Sequence, residues 1–101
     1  NFAEAEKVLR SAIAKDNQNP FAWYQLGIIY DRKGDEARAA LATAERYNLE
    51  GNARLAFVNA RQAMAGIPRG SADWVRAQDI YMVSEPEMKK KRKDRREEPQ
   101  Q

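Results

Sequence analysis

Neither cysteine nor histidine occurs in the 101 residues of this sequence. Without cysteine there is no disulfide framework and no thiolate metal site, and the redox compartment stays open. Without histidine the usual zinc centres and most imidazole-based acid/base or triad chemistry are excluded, so no catalytic residue, metal or cofactor is expected. No apolar run approaches the roughly 20 residues that span a bilayer, and no signal peptide opens the chain. Glycine and proline are few, five and four, and sit almost wholly between apolar segments. No segment alternates with the two-residue period of a half-buried strand. The chain opens on Asn1 and reads as a fragment of something longer, so any targeting segment would lie in the missing part.

What is present has the balance of a soluble helical protein: 43% hydrophobic and 33% charged residues, with Ala, Glu, Lys, Leu and Arg prominent. The length suits one domain, since domains commonly run to about 100–150 residues. The formal net charge of +3 is unevenly placed. Residues 1–88 hold 11 Lys/Arg against 12 Asp/Glu, whereas residues 89–101 hold 7 against 3. This divides the chain into a helical domain over 1–84 and a charged tail over 85–101, expected to be solvated and disordered or a frayed helical extension.

Periodicity predicts five helices. Ala5, Val8, Leu9, Ala12 and Ile13 make one buried stripe over residues 2–15, ended by Asp16-Asn17-Gln18-Asn19 before Pro20 at a first helical position. From Pro20 to Lys33, Trp23, Leu26, Gly27 and Tyr30 form one stripe and Phe21, Tyr24 and Ile28 another, which implies neighbours on two sides. Gly34 supplies a left-handed C-terminal residue and Asp35 an N-cap. A third helix over about 36–48 buries Ala37, Ala40, Leu41, Ala44 and Tyr47. A fourth over about 53–66 buries Ala56, Ala60, Ala63 and Ile67, before Ile67-Pro68-Arg69-Gly70 breaks it. Ser71 then caps a fifth helix, carrying Trp74, Ala77 and Tyr81 to about Val83. Short connections make consecutive helices antiparallel.

Trp23-Tyr24-Gln25-Leu26-Gly27-Ile28-Ile29-Tyr30 fits W-x2-L-G-x2-Y, the first-helix signature of the tetratricopeptide repeat, a helix-turn-helix unit of about 34 residues. Upstream, Ala5, Leu9 and Ala12 stand where a preceding second helix has its A-x3-F-x2-A pattern, and Asp16, Asn17 and Pro20 stand in for the D-P-x-N-P linker. The chain therefore resembles a tetratricopeptide array, an all-α antiparallel helix-turn-helix stack of about five helices with a charged C-terminal tail. In that reading Gly27 and Ala12 admit the adjacent helix, and Trp23, Leu26 and Tyr30 are core. Tyr30 and Tyr47 lie only 17 residues apart, so the third helix is expected either to serve two units at once or to mark a degenerate repeat, with residues 52–83 as a terminal cap.

From Pro20 to Ile80 the chain also resembles the C-terminal helical region of bacterial BepA-type periplasmic zinc metalloproteases. The resemblance rests on Leu26-Gly27-Ile28-Ile29-Tyr30, Ala60-Arg61-Gln62-Ala63, Gly70-Ser71-Ala72-Asp73-Trp74 and Arg76-Ala77-Gln78-Asp79-Ile80. It implies a periplasmic accessory domain that binds outer-membrane protein assembly machinery or misfolded substrate. The family's H-E-x-x-H helix is absent, so any protease would lie upstream of Asn1.

In such arrays the first helix of each pair lines a concave protein-binding surface. The residues expected to form a peptide groove are Phe21, Tyr24, Ile28 and Asp31 on the second helix and Arg38, Leu41, Glu45 and Asn48 on the third. Apolar Tyr24 and Ile28 favour side-chain packing over carboxylate capture. The expected function is a non-catalytic protein-protein interaction scaffold. The alternative is a nucleic-acid or anionic-surface module acting through Lys89 to Arg96, seven cations in eight positions. No aromatic residue interleaves those cations, so base stacking and sequence-specific nucleic-acid recognition are not expected.

Overall fold

Every helix in the molecule begins on a polar side chain that accepts a hydrogen bond from a first-turn amide. The Asn1, Asn19, Asp35 and Asn52 side chains accept from the amides of Ala3, Phe21, Arg38 and Leu55 at 2.9, 3.0, 3.1 and 3.1 Å. Ser71 Oγ accepts from the Trp74 amide at 3.3 Å. Each contact satisfies a donor that the helix itself cannot, an effect of about 1 kcal/mol per cap. The computed structural model describes residues 1–97, and over these it is all-α: α1 (Phe2–Lys15), α2 (Pro20–Arg32), α3 (Glu36–Leu49), α4 (Ala53–Gly66) and α5 (Ala72–Glu97).

Two of the turns are built identically. After α2 the Gly34 amide donates to the Asp31 carbonyl and the Asp35 amide to the Tyr30 carbonyl. After α3 the Gly51 amide donates to Asn48 and the Asn52 amide to Tyr47. Both glycines have positive φ, 80° and 79°, the left-handed conformation that closes a helix in this double hydrogen-bond pattern. In both cases the next residue is already the following N-cap. The 17-residue interval between Tyr30 and Tyr47 therefore has a local cause: each tyrosine supplies the outer carbonyl of the same turn, one helix apart.

The larger period lies in the helix starts. α1 to α3 is 34 positions, α2 to α4 is 33, and α3 to α5 is 36, so helices two apart in the chain share a similar spacing. Each helix packs on the next, and α3 also meets α5. One core holds Ile13, Ala22, Trp23, Leu26, Tyr30 and Ala42. The other holds Ala40, Leu41, Ala44, Ala56, Ala60, Ala63, Ile67, Ala77 and Ile80. α3 contributes to both, and the alanines on α3 and α4 let their axes approach closely. Among the glycines the tightest contact is at Gly66, where an added Cβ would lie 2.6 Å from Ala37 Cβ. At Gly27 an added Cβ would make only ordinary contact, 3.6 Å from Ala42 Cβ.

Two expectations need correction. On α1 only the Ile13 side of the stripe is buried; Val8 is 68% exposed and Ala12 also faces solvent, because α1 packs along α2 and reaches α5 through the long Arg10 side chain. The fifth helix does not stop near Val83 but runs on to Glu97, with Pro86 inside it. Pro86 removes the amide that would meet the Met82 carbonyl, but Met82 is 63% exposed, so water can take its place. Beyond that point Lys89 pairs with Glu85 at 3.2 Å, one turn apart, and Lys91 Nζ donates to the Gly51 carbonyl at 3.0 Å, pinning the extension to the α3–α4 turn. Of the tail, residues 98–101 lie outside the described residues.

Candidate functional site

Two concave regions lie on opposite sides of α3. The first is a groove of about 450 Å³ with α3 as its floor and α2 and α4 as its walls. α2 contributes Tyr24, Ile28 and Asp31, successive residues of one face at spacings of four and three, and α4 contributes Asn59 and Gln62. Tyr24 is 49% and Ile28 37% exposed, large apolar surfaces that the fold leaves uncovered.

The groove has chemically different ends. Near Tyr24, the Arg46 guanidinium lies 5.4 Å from the centre of that ring and 4.4 Å from that of Tyr47, and it pairs with Glu50 at 3.2 Å. At the other end Asp31 and Glu36 line the same surface. Neither carboxylate meets a cation among the described residues. The floor is small and polar-edged, Ala39, Ala40 and Thr43 of α3 with Gly27 of α2 beside them, and the Thr43 hydroxyl donates to the Ala39 carbonyl at 2.9 Å.

The second region is a cleft of about 320 Å³ lined by residues of α1, α2, α3 and α5, and its polar groups are committed to one another. Asp73 receives Arg38 Nε at 2.9 Å and Arg10 Nη2 at 3.1 Å. Arg10 Nε donates to Tyr30 Oη at 2.7 Å. The Tyr30 hydroxyl donates to Glu6 at 3.0 Å, and Glu6 also takes Lys33 at 2.7 Å. Burial alone would raise the Asp73 carboxyl pKa, but the hydrogen bonds from Arg38 and Arg10 hold it below the usual range. Lys33 does most to hold Glu6 low as well. Burial pushes the Tyr30 hydroxyl up to about 12. Deeper in, Arg76 lies 4.9 Å from the centre of the Trp23 ring and donates to Glu45 at 2.9 Å; burial nonetheless raises the Glu45 pKa.

The eight residues expected to share one groove divide between these regions. Tyr24, Ile28 and Asp31 line the groove together. Phe21, 62% exposed, lies one turn before them and outside the lining. Arg38 and Leu41 line the opposite cleft, Glu45 is buried against Arg76 beside it, and Asn48 is exposed at the end of α3. The α3 side of the groove is made instead by Glu36, Ala39, Thr43 and Arg46. The signal for these is their position between the two buried stripes of α3. Asn59 and Gln62 are a polar pair three apart beside the Ala56/Ala60/Ala63 stripe, a pattern that marks the edge of a buried face.

No protein-family model, no curated protein and no solved structure matches the chain. The groove therefore has to be read from its own chemistry. It offers exposed apolar side chains, amide side chains that can donate and accept, and an uncompensated acidic end. Among the described residues no three acidic groups converge as a metal site would require, and no helix is long and apolar enough to cross a membrane.

Proposed function

We propose that this chain is part of a tetratricopeptide-like array that acts as a non-catalytic protein-binding scaffold, its site the α2–α3–α4 groove. The observation that carries this reading is the joint exposure of Tyr24 and Ile28 on the wall of a groove whose far end holds Asp31 and Glu36, neither paired with a cation among the described residues. A helix-start period of 34, 33 and 36 positions supports the array, since stacked helix pairs of about that length present one face of alternate helices on a concave surface.

The ligand that fits is a short extended protein segment. Its apolar side chains would cover Tyr24 and Ile28, its backbone amides would meet Asn59 and Gln62, and a basic residue would reach Asp31 and Glu36. The resemblance to the BepA-type C-terminal region supports a role as the periplasmic accessory arm of a larger protease, holding misfolded substrate or outer-membrane assembly partners.

The test is a peptide array tiled across an outer-membrane β-barrel protein, probed with the wild type and with Y24A/I28A. Retention of peptides that combine aromatic or aliphatic residues with a lysine or arginine is expected, with a loss of about tenfold or more in the double variant, the scale of a buried apolar anchor. Equal retention by a folded double variant would place the site elsewhere.

A further inference from the structure

The α5 extension creates a third surface that the groove reading does not use. Where it passes the α3–α4 turn, Arg54 from the first turn of α4 and Lys91, Arg92 and Arg95 from α5 line one pocket of about 430 Å³, with Met88 and the turn residues Glu50 to Ala53. Outside this pocket Arg10, Arg38, Arg46 and Arg76 each meet a carboxylate at 2.9–3.2 Å, and Arg61 and Arg69 lie over the Phe57 and Trp74 rings. In this pocket Arg54, Arg92 and Arg95 form no ion pair among the described residues. The one lining carboxylate, Glu50, is already held by Arg46, and Lys91 is held by the Gly51 carbonyl.

Four cations brought together from two helices, beside a single carboxylate that Arg46 already holds, repel one another, and an anion in their midst relieves that repulsion. Arginine presents a planar fork of donors suited to phosphate oxygens. The outward face of the same extension is different: Lys89 and Lys93 have i,i+4 acidic partners, Glu85 and Glu97. The cationic run thus has a partly neutralised outer side and an inner side that is not.

We infer that the pocket bounded by Arg54, Lys91, Arg92 and Arg95 binds a multiply charged phosphate group, either free or carried on a lipid headgroup. The site is composite. The tail supplies three cations, the α4 start supplies the fourth, and the Lys91–Gly51 contact fixes their relative position. This separates it from a diffuse polybasic tail, in which every lysine and arginine contributes alike.

The experiment uses the full chain, with pyrophosphate as the probe, at low ionic strength and followed by backbone amide resonances. Saturable shifts centred on residues 50–55 and 88–95 are expected. R54Q/R95Q should weaken binding about tenfold, as loss of charge-assisted contacts does, while K89Q/K93Q leaves it within about twofold. All four side chains are exposed, and unchanged circular dichroism would verify that both variants keep the fold. Shifts that do not saturate, or equal losses in the two double variants, would overturn the composite site in favour of a diffuse cationic surface.

A second arm uses micelles of short-chain phosphatidic acid, whose headgroup is a phosphomonoester, against phosphatidylcholine. Binding to the acidic micelles alone, displaced by pyrophosphate and lost in R54Q/R95Q, would identify the headgroup as a source of the phosphate. Acidic-micelle binding that R54Q/R95Q leaves intact would overturn the proposal, as would tighter binding to duplex DNA lost equally from both double variants.

Discussion

The cleft and the groove share α3 as a wall, yet their polar groups behave in opposite ways. In the cleft, Glu6, Arg10, Tyr30, Arg38 and Asp73 saturate one another across four helices, and no buried side-chain nitrogen or oxygen among the described residues is left without a partner. In the groove, Tyr24 and Ile28 are open, and Asp31 and Glu36 meet no cation among the described residues. Mutual saturation costs a surface its capacity to bind, because a ligand must first break what is there. The cleft therefore holds the array together, and the groove is free to take something else.

The comparison breaks if the cleft proves dispensable, and Asp73→Ala is the strongest test. Asp73 ties both α1 and α3 to α5 through Arg10 and Arg38, and its side chain is 19% exposed. Removing it leaves Arg38, 30% exposed, without its interhelical partner, while Arg10, 43% exposed, can turn to water. A fully buried pair broken this way costs about 3–5 kcal/mol; with this exposure the expected loss is about 1–3 kcal/mol, read as a lower urea midpoint at unchanged slope. Y24A/I28A, on the open side, should cost about 1 kcal/mol or less by the same measurement. Equal losses would mean that the groove residues are structural too.

Acid should separate the two buried ends of the cleft by sign. The Asp73 and Glu6 carboxyls are held low in the fold, so their contribution is present above their unfolded pKa values and is lost as pH falls through the folded ones. Burial holds the Glu45 carboxyl high. Between its unfolded and folded pKa the native state binds more proton, so stability rises as pH falls through that window. The urea midpoint should therefore climb slightly on mild acidification and then drop. E45Q should remove the climb and D73N should blunt the drop. A climb that persists in E45Q would assign it to another group.

Much of the fold is legible in the chain. Asn19, Asp35, Asn52 and Ser71 stand where the caps form, and Ala56, Ala60, Ala63 and Ile67 are buried as their spacing requires. The candidate site is less so. Arg10 and Asp73 meet across 63 positions, a distance that no local pattern encodes, and which face of α3 turns to α2 depends on packing that periodicity does not orient. The α5 boundary was hidden for a different reason: composition marks residues 85–97 as a tail, but Pro86 faces solvent at little cost and Lys91 finds a carbonyl on another turn.

The smallest effect separates sequence signature from geometry. The motif makes Gly27 the position of close helix approach, but an added Cβ there would meet Ala42 Cβ at 3.6 Å, ordinary contact, whereas at Gly66 it would meet Ala37 Cβ at 2.6 Å. Alanine also removes the backbone freedom that makes glycine unfavourable within a helix by about 0.5–1 kcal/mol. Gly27→Ala should thus raise stability by about 0.5 kcal/mol. Gly66→Ala should lower it by about 1 kcal/mol or more, because the alanine opposite has no flexible end to move aside. Since Gly27 also lines the groove, peptide binding by G27A gives a second reading. A more stable protein that loses peptide would show that the glycine serves the ligand and not the helix contact.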